Sequence, residues 1–415
     1  MELLNRIVEP TLDSLIASTP VVILEGGRAS GKSTVCDQII ERRGWSPRLD
    51  LSDPETMGTL RLDPHRFLLG QGTPCIIDEA QLEPNITLAV KRIVDQRKAP
   101  GQFVLTGSAR LGRNALGGSD PLAGRAVRLR MFSLTQGELE RRPNEFIDRA
   151  FGQGWDPADP ASTTPETHRN PWLGGLPGIS GVLDGEFVNE WEREVASYVE
   201  AVLPLGTMGT RADLGRLLRT FRYFAANSGQ LLNLARAASE LTMQAATVRN
   251  HIDLLEASFL LYRIEAHRPA EHRVVTAHPR LFAADTGLAT WAARTWAHQP
   301  NAALLGSLTE SLVAHDVVAA AEASADRIVV RHWRDARNLK EVDLLLTHPD
   351  GRFVPIEVKA SSSAGPASTL GLQAFISEAG NTCQRALVIY EGNRILDLTP
   401  PRGPTQILAI PRNLL

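Results

Sequence analysis

Short apolar runs alternate with polar, helix-forming stretches over residues 1–130, the pattern of an α/β domain with a largely parallel sheet. Runs of apolar and β-branched residues at 21–24, 75–77 and 103–105 are bounded by Gly, Pro or polar positions and predict strands. Residues 152–186 are rich in Pro, Gly, Ser and Thr and predict a linker or long loop. From 187 to 262 the pattern turns helical and Leu/Ala-rich. From 304 a helix is expected, then strands at 328–333, 342–347, 353–359 and 386–390. No internal repeat and no long low-complexity tract interrupts this order.

Length and composition narrow the reading. At 415 residues the chain should hold two or three domains, since single cores rarely exceed ~250 residues. Hydrophobic content of 43% and charged content of 22% are those of a soluble globular protein. The net charge of −3 gives no global pull toward nucleic acid, so such binding must come from local patches. Three distant cysteines (Cys36, Cys75 and Cys383) lack metal-ligand spacing and suit a reducing compartment. The start, MELLNRIVEP, lacks the pattern of a secretory signal, and no uncharged apolar run reaches the ~18 residues of a membrane span. The expectation is a soluble, cytoplasmic protein that does not engage a membrane.

Residues 21–34 read VVILEGGRASGKST, in which Gly26 is followed after four residues by Gly31-Lys32-Ser33. Glycines let successive N–H groups turn inward around phosphate oxygens, and the following helix directs its positive end at them. The predicted cradle is Gly26, Gly27, Arg28, Ala29, Ser30, Gly31, Lys32, Ser33 and Thr34. Lys32 would reach the β- and γ-phosphates of ATP, and the Ser33 hydroxyl would ligate Mg²⁺. A second apolar run, CII, ends in Asp78-Glu79, which suits Asp78 to hold the Mg²⁺ shell and Glu79 to polarise an attacking water as the catalytic base. The run FVL ends in Thr106-Gly107-Ser108, whose hydroxyls at Thr106 and Ser108 could sense the γ-phosphate from the neighbouring strand.

The segments GGRASGKST, CIIDEAQ, FVLTGSARL and AGRAVRLRMFSLTQGEL resemble the AAA-type ATPase domain of many bacterial and archaeal proteins. Those proteins carry a C-terminal domain of unknown function. The resemblance continues through NLARAASELTMQAATVRNHIDLLEASFLLYRIEAH, PRLFAADTGLA, LLGSLTESLV and EVDLLL with IEVKAS, and is weakest over 140–200. It implies a homo-oligomer in which an arginine reaches a neighbour's γ-phosphate, Arg125 or Arg110 being the candidates. Surface ion pairing is the alternative for both.

Residues 230–263 predict a helix near 231–239, a short turn, and a helix over 245–257, the helix-turn-helix pattern of DNA readers. Gln244, Thr247, Arg249 and Asn250 would be exposed, with Val248, Ile252 and Leu255 facing inward. Arg211, Arg216, Arg219 and Arg222 could meet phosphates. The alternative is a helix pair that packs on itself and leaves a solvated face. The family resemblance adds a winged-helix-like segment here.

The stretch EVDLLLTHPDGRFVPIEVKAS, residues 341–361, reads as a hairpin turning at Pro349-Asp350-Gly351. Counting outward, His348 pairs with Arg352 and Asp343 stands opposite Glu357, with Lys359 about 6.6 Å further along the same face. Two carboxylates and an ammonium suit Mg²⁺-dependent phosphodiester cleavage, with Asp343 and Glu357 as metal ligands and Lys359 as catalytic. This resembles the core of the PD-(D/E)xK nuclease superfamily, which implies Glu310 on the preceding helix as a further metal ligand. A solvated charged edge is the plainer alternative. The basic stretch with Arg327, Arg331, His332, Trp333, Arg334, Arg337 and Lys340 could hold a phosphate backbone and stack a base, a solvated basic edge being the plainer alternative.

Together these give an α/β chain in four parts. They are an AAA-type P-loop ATPase domain (1–140), a helical lid or linker (141–200), a winged-helix-like segment (201–270) and a PD-(D/E)xK nuclease-like domain (271–415). The expected function is ATP- and Mg²⁺-dependent action on DNA, with or without nuclease activity. The alternative is an ATP-dependent regulatory or scaffolding DNA-binding protein whose nuclease-like domain is inactive.

Overall fold

The computed structural model describes residues 4–111, 120–158, 170–177, 179, 188–207, 210, 212–267, 278–294, 301–335 and 340–415. Its first region is an all-parallel sheet of β1 (Val21–Gly26), β2 (Leu49–Asp50), β3 (Cys75–Asp78), β4 (Phe103–Gly107) and β5 (Ala126–Met131), ordered β2-β3-β4-β1-β5. Helices α1 (Glu9–Ser18), α2 (Lys32–Arg43), α3 (Pro54–Leu62), α4 (Pro64–Gln71) and α5 (Ile86–Gln96) cover it. Strand alternation divides β1 between two cores. Val21 and Ile23 pack with α5, whereas Val22 and Leu24 pack with α1 and α2. Every residue of β1, β3 and β4 is buried, as two covered faces require. The three strands expected here form, each running one or two residues further than the apolar run. Their carboxyl ends lie side by side, with β4 between β1 and β3.

Two short helices follow, α6 (Gln136–Leu139) and α7 (Phe146–Phe151). Phe146, Ile147, Ala150 and Phe151 of α7 sit in the core of the C-terminal sheet, so this part of the 141–200 segment is no free-standing lid. A helical unit then comprises α8 (Val188–Gly206), α9 (Leu214–Ala226), α10 (Leu234–Leu241), α11 (Ala245–Ala257), the antiparallel pair β6 (Leu261–Ile264) and β7 (Arg280–Ala283), and α12 (Thr286–Ala293). One apolar core joins α8, α9, α11, β7 and α12, so the unit extends past residue 270. The second helix of the expected pair forms over the predicted span. The first starts later than expected because the Asn233 side chain caps it at Arg236 N.

The C-terminal region consists of α13 (Ala302–Ala323), β8 (Val329–Arg334), β9 (Glu341–Thr347), β10 (Phe353–Lys359), α14 (Leu370–Ala379), β11 (Ala386–Tyr390), β12 (Leu396–Asp397) and β13 (Ile407–Pro411). The sheet order is β12-β13-β11-β10-β9-β8, with α13 on one face and α14 on the other. Among the described residues α13 is the one helix long and apolar enough to cross a membrane by length and composition. Its Val313, Ala314, Val317, Ala320 and Ala321 lie in the core, which accounts for that composition. The β9–β10 turn forms as counted, with His348 N donating to Arg352 O at 2.9 Å and Gly351 at φ 93°. Phe353 pairs with Thr347 and Ile356 with Leu344, which brings Glu357 alongside Asp343.

Candidate functional site

The loop between β1 and α2 is shaped by its glycines. Gly31 adopts φ 97°, and a Cβ on Gly26 would strike the Met131 carbonyl of β5. Lys32 is buried, and its Nζ donates to the carbonyls of Gly26 at 2.9 Å and Gly27 at 2.8 Å. Burial lowers its pKa to about 8, against the raising fields of Glu79 and Asp78. The Ser30 hydroxyl is buried and has no partner among the described residues. Arg28, Ala29 and Thr34 are exposed at the rim. Gly27 faces Tyr198 of α8 and Phe259 beyond α11, so the loop is roofed by the helical unit.

Asp78 and Glu79 stand at the end of β3 across from the loop. Ser33 Oγ donates to Asp78 Oδ2 at 2.8 Å, and the Thr106 hydroxyl donates to Asp78 Oδ1. Glu79 N donates to Thr106 Oγ1 at 3.1 Å. Both Glu79 oxygens are occupied, one by Ser108 Oγ at 2.7 Å and the other by the Gln81 amide. Thr106 and Ser108 therefore act here on the acidic pair of β3. Sequence reasoning missed Arg48, whose Nη1 lies 2.6 Å from Asp78 Oδ2 and which also pairs with Asp37 and Asp50. The donor set fits a triphosphate with Mg²⁺: an inward-turned backbone, a buried ammonium, an unpartnered hydroxyl, and a Ser–Asp pair at hydrogen-bond distance.

Other arginines do different work. Arg125 forms a two-pronged pair with Asp95 of α5, at 2.6 and 3.1 Å, and its Nη1 donates to the Ala123 carbonyl at 3.2 Å. To serve a neighbouring copy it would first have to leave that carboxylate. Arg110 is tied through its backbone to Ala257 O at the end of α11. Arg6, absent from the sequence reading, is buried. It binds Glu138 and the Phe132 carbonyl and donates to the Ser30 carbonyl of the loop. Arg130 stacks over Phe132, Phe259 and Tyr262 at 4.5–5.5 Å, a cation–π cage beside the loop.

The carboxylates expected to hold metal in the C-terminal unit are arranged differently from the expectation. Arg280 of β7 reaches between Glu310 and Asp343, with Nη1 3.2 Å from Asp343 Oδ1 and also paired with Glu310. Its Nη2 lies 3.6 Å from Glu341. Asp343 Oδ2 accepts from Val358 N at 2.9 Å. Lys359 Nζ donates to Glu357 Oε1 at 2.7 Å, and Glu357 Oε2 is buried without a partner among the described residues. Burial first, then the Asp343 charge, raises the pKa of both Glu310 and Glu357. No three metal-ligand side chains converge on an ion position among the described residues. In this arrangement the expected ligands do not fit Mg²⁺, because a guanidinium stands between two of them.

On α11, Gln244, Arg249 and Asn250 are exposed and Thr247 is half-buried, while Val248, Ile252 and Leu255 are buried, as their spacing predicts. Arg216 and Arg219 are exposed on α9, whereas Arg222 stacks on Trp291 at 4.5 Å. Arg211 and Arg337 lie outside the described residues. Trp333 does not offer a face to a base: it is buried against Phe375, and His332 beside it is buried with Nε2 3.0 Å from the His278 carbonyl.

A Ser–His–Asp arrangement occurs where the three regions meet. Ser133 Oγ is 2.9 Å from His315 Nε2, and His315 Nδ1 is 2.9 Å from Asp316. Ser133 also donates to Asp285 at 2.8 Å, all four residues are buried, and the adjoining cavity is about 20 Å³. A hydroxyl committed to a carboxylate, with no room for substrate, makes this a structural node and not a nucleophile.

Comparison with known proteins places these features in context. Residues 18–140 match the family model of an AAA domain, and residues 173–299 and 305–411 match two domains of unknown function (DUF8612 and DUF4143). The chain is 25% identical over 271 residues to uncharacterized proteins of Mycobacterium tuberculosis (Rv2008c) and Mycobacterium bovis (Mb2031c). The matched part is 65% of this chain and 55% of each relative, so the chain spans about half the length of the curated relatives it matches. A solved Walker-type ATPase of Pyrococcus abyssi, PABY2304, aligns with 68% of this chain and 94% of its own at 17% identity and a TM-score of 0.36. The AAA-domain match covers the phosphate loop and the Asp78–Glu79 strand, and it supports ATP binding and hydrolysis.

Proposed function

We propose that this chain is a cytoplasmic, Mg²⁺-dependent ATPase whose nucleotide state controls its grip on DNA. The carrying observation is that the phosphate loop abuts Tyr198 and Phe259 of the same helical unit that displays Gln244, Arg249 and Asn250 on α11. A turn followed by such a helix is the winged-helix manner of entering a major groove, with β6 and β7 as the wing. When bound, Mg²⁺·ATP supplies the scissile phosphoanhydride and its Lewis acid. Lys32 would hold the β- and γ-oxygens, Ser33 and Asp78 the ion, and Glu79 would orient water after leaving Ser108 and Gln81. A homo-oligomer would let Arg110 or Arg125 act on a neighbour's nucleotide.

For the C-terminal unit, the ion pair Glu357–Lys359 beside Asp343 favours a nuclease-like architecture. Arg280 on Asp343 favours the reading in which that unit does not cleave in this arrangement. Fluorescence anisotropy of a labelled duplex at low salt tests the proposal. Affinity should differ between ATP and ADP, and Arg249→Ala should weaken it about 10-fold while leaving ATP hydrolysis unchanged. Absence of binding to duplex or single-stranded DNA in every nucleotide state would remove the proposal. Release of nicked DNA with Mn²⁺ by the native chain would instead restore the nuclease reading.

A further inference from the structure

We infer that Arg280 is a built-in counter-ion of the C-terminal carboxylate cluster, so that Glu310 and Asp343 can take a divalent cation only when β7 withdraws. The inference stands apart from the DNA reading, because it concerns metal binding alone. Arg280 is buried, and its backbone is fixed on both edges of β7, pairing with Ile264 of β6 on one side and bridging to Leu231 on the other. A side chain anchored this way is part of the architecture and is not a surface arginine that has wandered in. Its fork presents donors to two or three carboxylates at once, which a lysine cannot match. The arginine and the carboxylates come from different regions of the chain. Arg280 belongs to the helical unit, whereas Glu310 lies on α13 and Asp343 on β9.

The surroundings give the device room to work. A cavity of about 470 Å³ opens onto Arg280, Glu310, Glu341 and Asp343 and is walled by the turn around Gln230 and Asn233. Solvent and small ions therefore reach the cluster, and a displaced guanidinium has space to occupy. Movement of β6–β7 against the C-terminal sheet would exchange one cation for another without leaving the carboxylates bare. A metal that binds only the withdrawn form has its apparent affinity divided by the fraction withdrawn.

Manganese titration of the nucleotide-free 415-residue chain, read by electron paramagnetic resonance, tests the assignment. Wild type should take up no Mn²⁺ at the cluster below millimolar concentration. Arg280→Met should gain one ion per chain at least ~100-fold more tightly, and Mn²⁺ should raise the melting temperature of the variant but not of wild type. Adding Asp343→Asn to Arg280→Met should abolish both effects. Equal Mn²⁺ binding by wild type and variant overturns the inference, as does gained binding that survives Asp343→Asn. Should Arg280→Met fail to fold, Arg280→Lys provides a milder change, with a smaller gain expected. In wild type itself, micromolar Mn²⁺ binding that disappears in Asp343→Asn would refute the inference without any arginine variant.

Discussion

Acid should loosen the seam between the helical unit and the C-terminal sheet through His332. Its backbone joins β8 to residues 265–267, with His332 N donating to Glu265 O at 3.1 Å and His267 N donating to His332 O at 2.7 Å. Its imidazole is buried and donates to His278 O. Burial, helped by the positive field of Arg280, lowers its pKa from 6.5 to about 4. The folded state thus prefers the neutral ring. Stability is complete above the unfolded value of 6.5 and is lost as pH falls from there toward 4. The full difference is roughly 3 kcal/mol, of which about 2 kcal/mol is already lost at pH 5. For a unit of this size that is a fall of ~4–8 °C in melting temperature. Thermal melts of wild type and His332→Gln between pH 7.5 and 5 would measure it, since glutamine can keep the bond to His278 without titrating. An equal acid slope in both proteins would refute the reasoning.

Two predictions concern the nucleotide site. Lys32→Ala should weaken ATP binding by more than 100-fold in calorimetry, because the loop loses its buried ammonium. Glu79→Gln should keep nucleotide affinity and slow hydrolysis by about 100-fold or more, measured as phosphate release. Native turnover in Glu79→Gln would reduce that carboxylate to a hydrogen-bond acceptor for Ser108 and Gln81.

Local patterns were legible in the sequence and long-range pairings were not. The phosphate loop, the Asp78–Glu79 strand and the β9–β10 register follow from spacing within a few residues, and the chain folds them as counted. The short strands β2 and β12 have two residues each, too few to show a period. Arg48 and Arg280 escaped because each meets its acid far along the chain, across 30 and 63 residues. The misreading of Trp333 has a local cause. A register shift in β8 between Arg331 and Trp333 breaks the alternation, so His332 and Trp333 are both buried although flanked by arginines. A basic stretch therefore resembled an exposed edge.

Both acidic sites hold an arginine where a divalent ion would be expected, and burial separates their consequences. The Arg48 side chain is 25% exposed, and it precedes β2 at the edge of its sheet. Water can take over the hydrogen bonds of the departing guanidinium, while Ser33 and Thr106 still donate to the buried Asp78. Mg²⁺ arriving with ATP brings its own phosphate ligands and can displace the arginine readily. The Arg280 side chain is 8% exposed and touches three carboxylates. Breaking a buried pair costs about 3–5 kcal/mol, which lowers the population of the withdrawn form to roughly one in 10²–10³ or less. A free ion meeting only protein carboxylates has no comparable source of affinity. The first arginine is therefore a counter-ion that nucleotide binding can exchange. The second is anchored on β7, paired with Ile264 and Leu231, so its withdrawal requires movement of that strand.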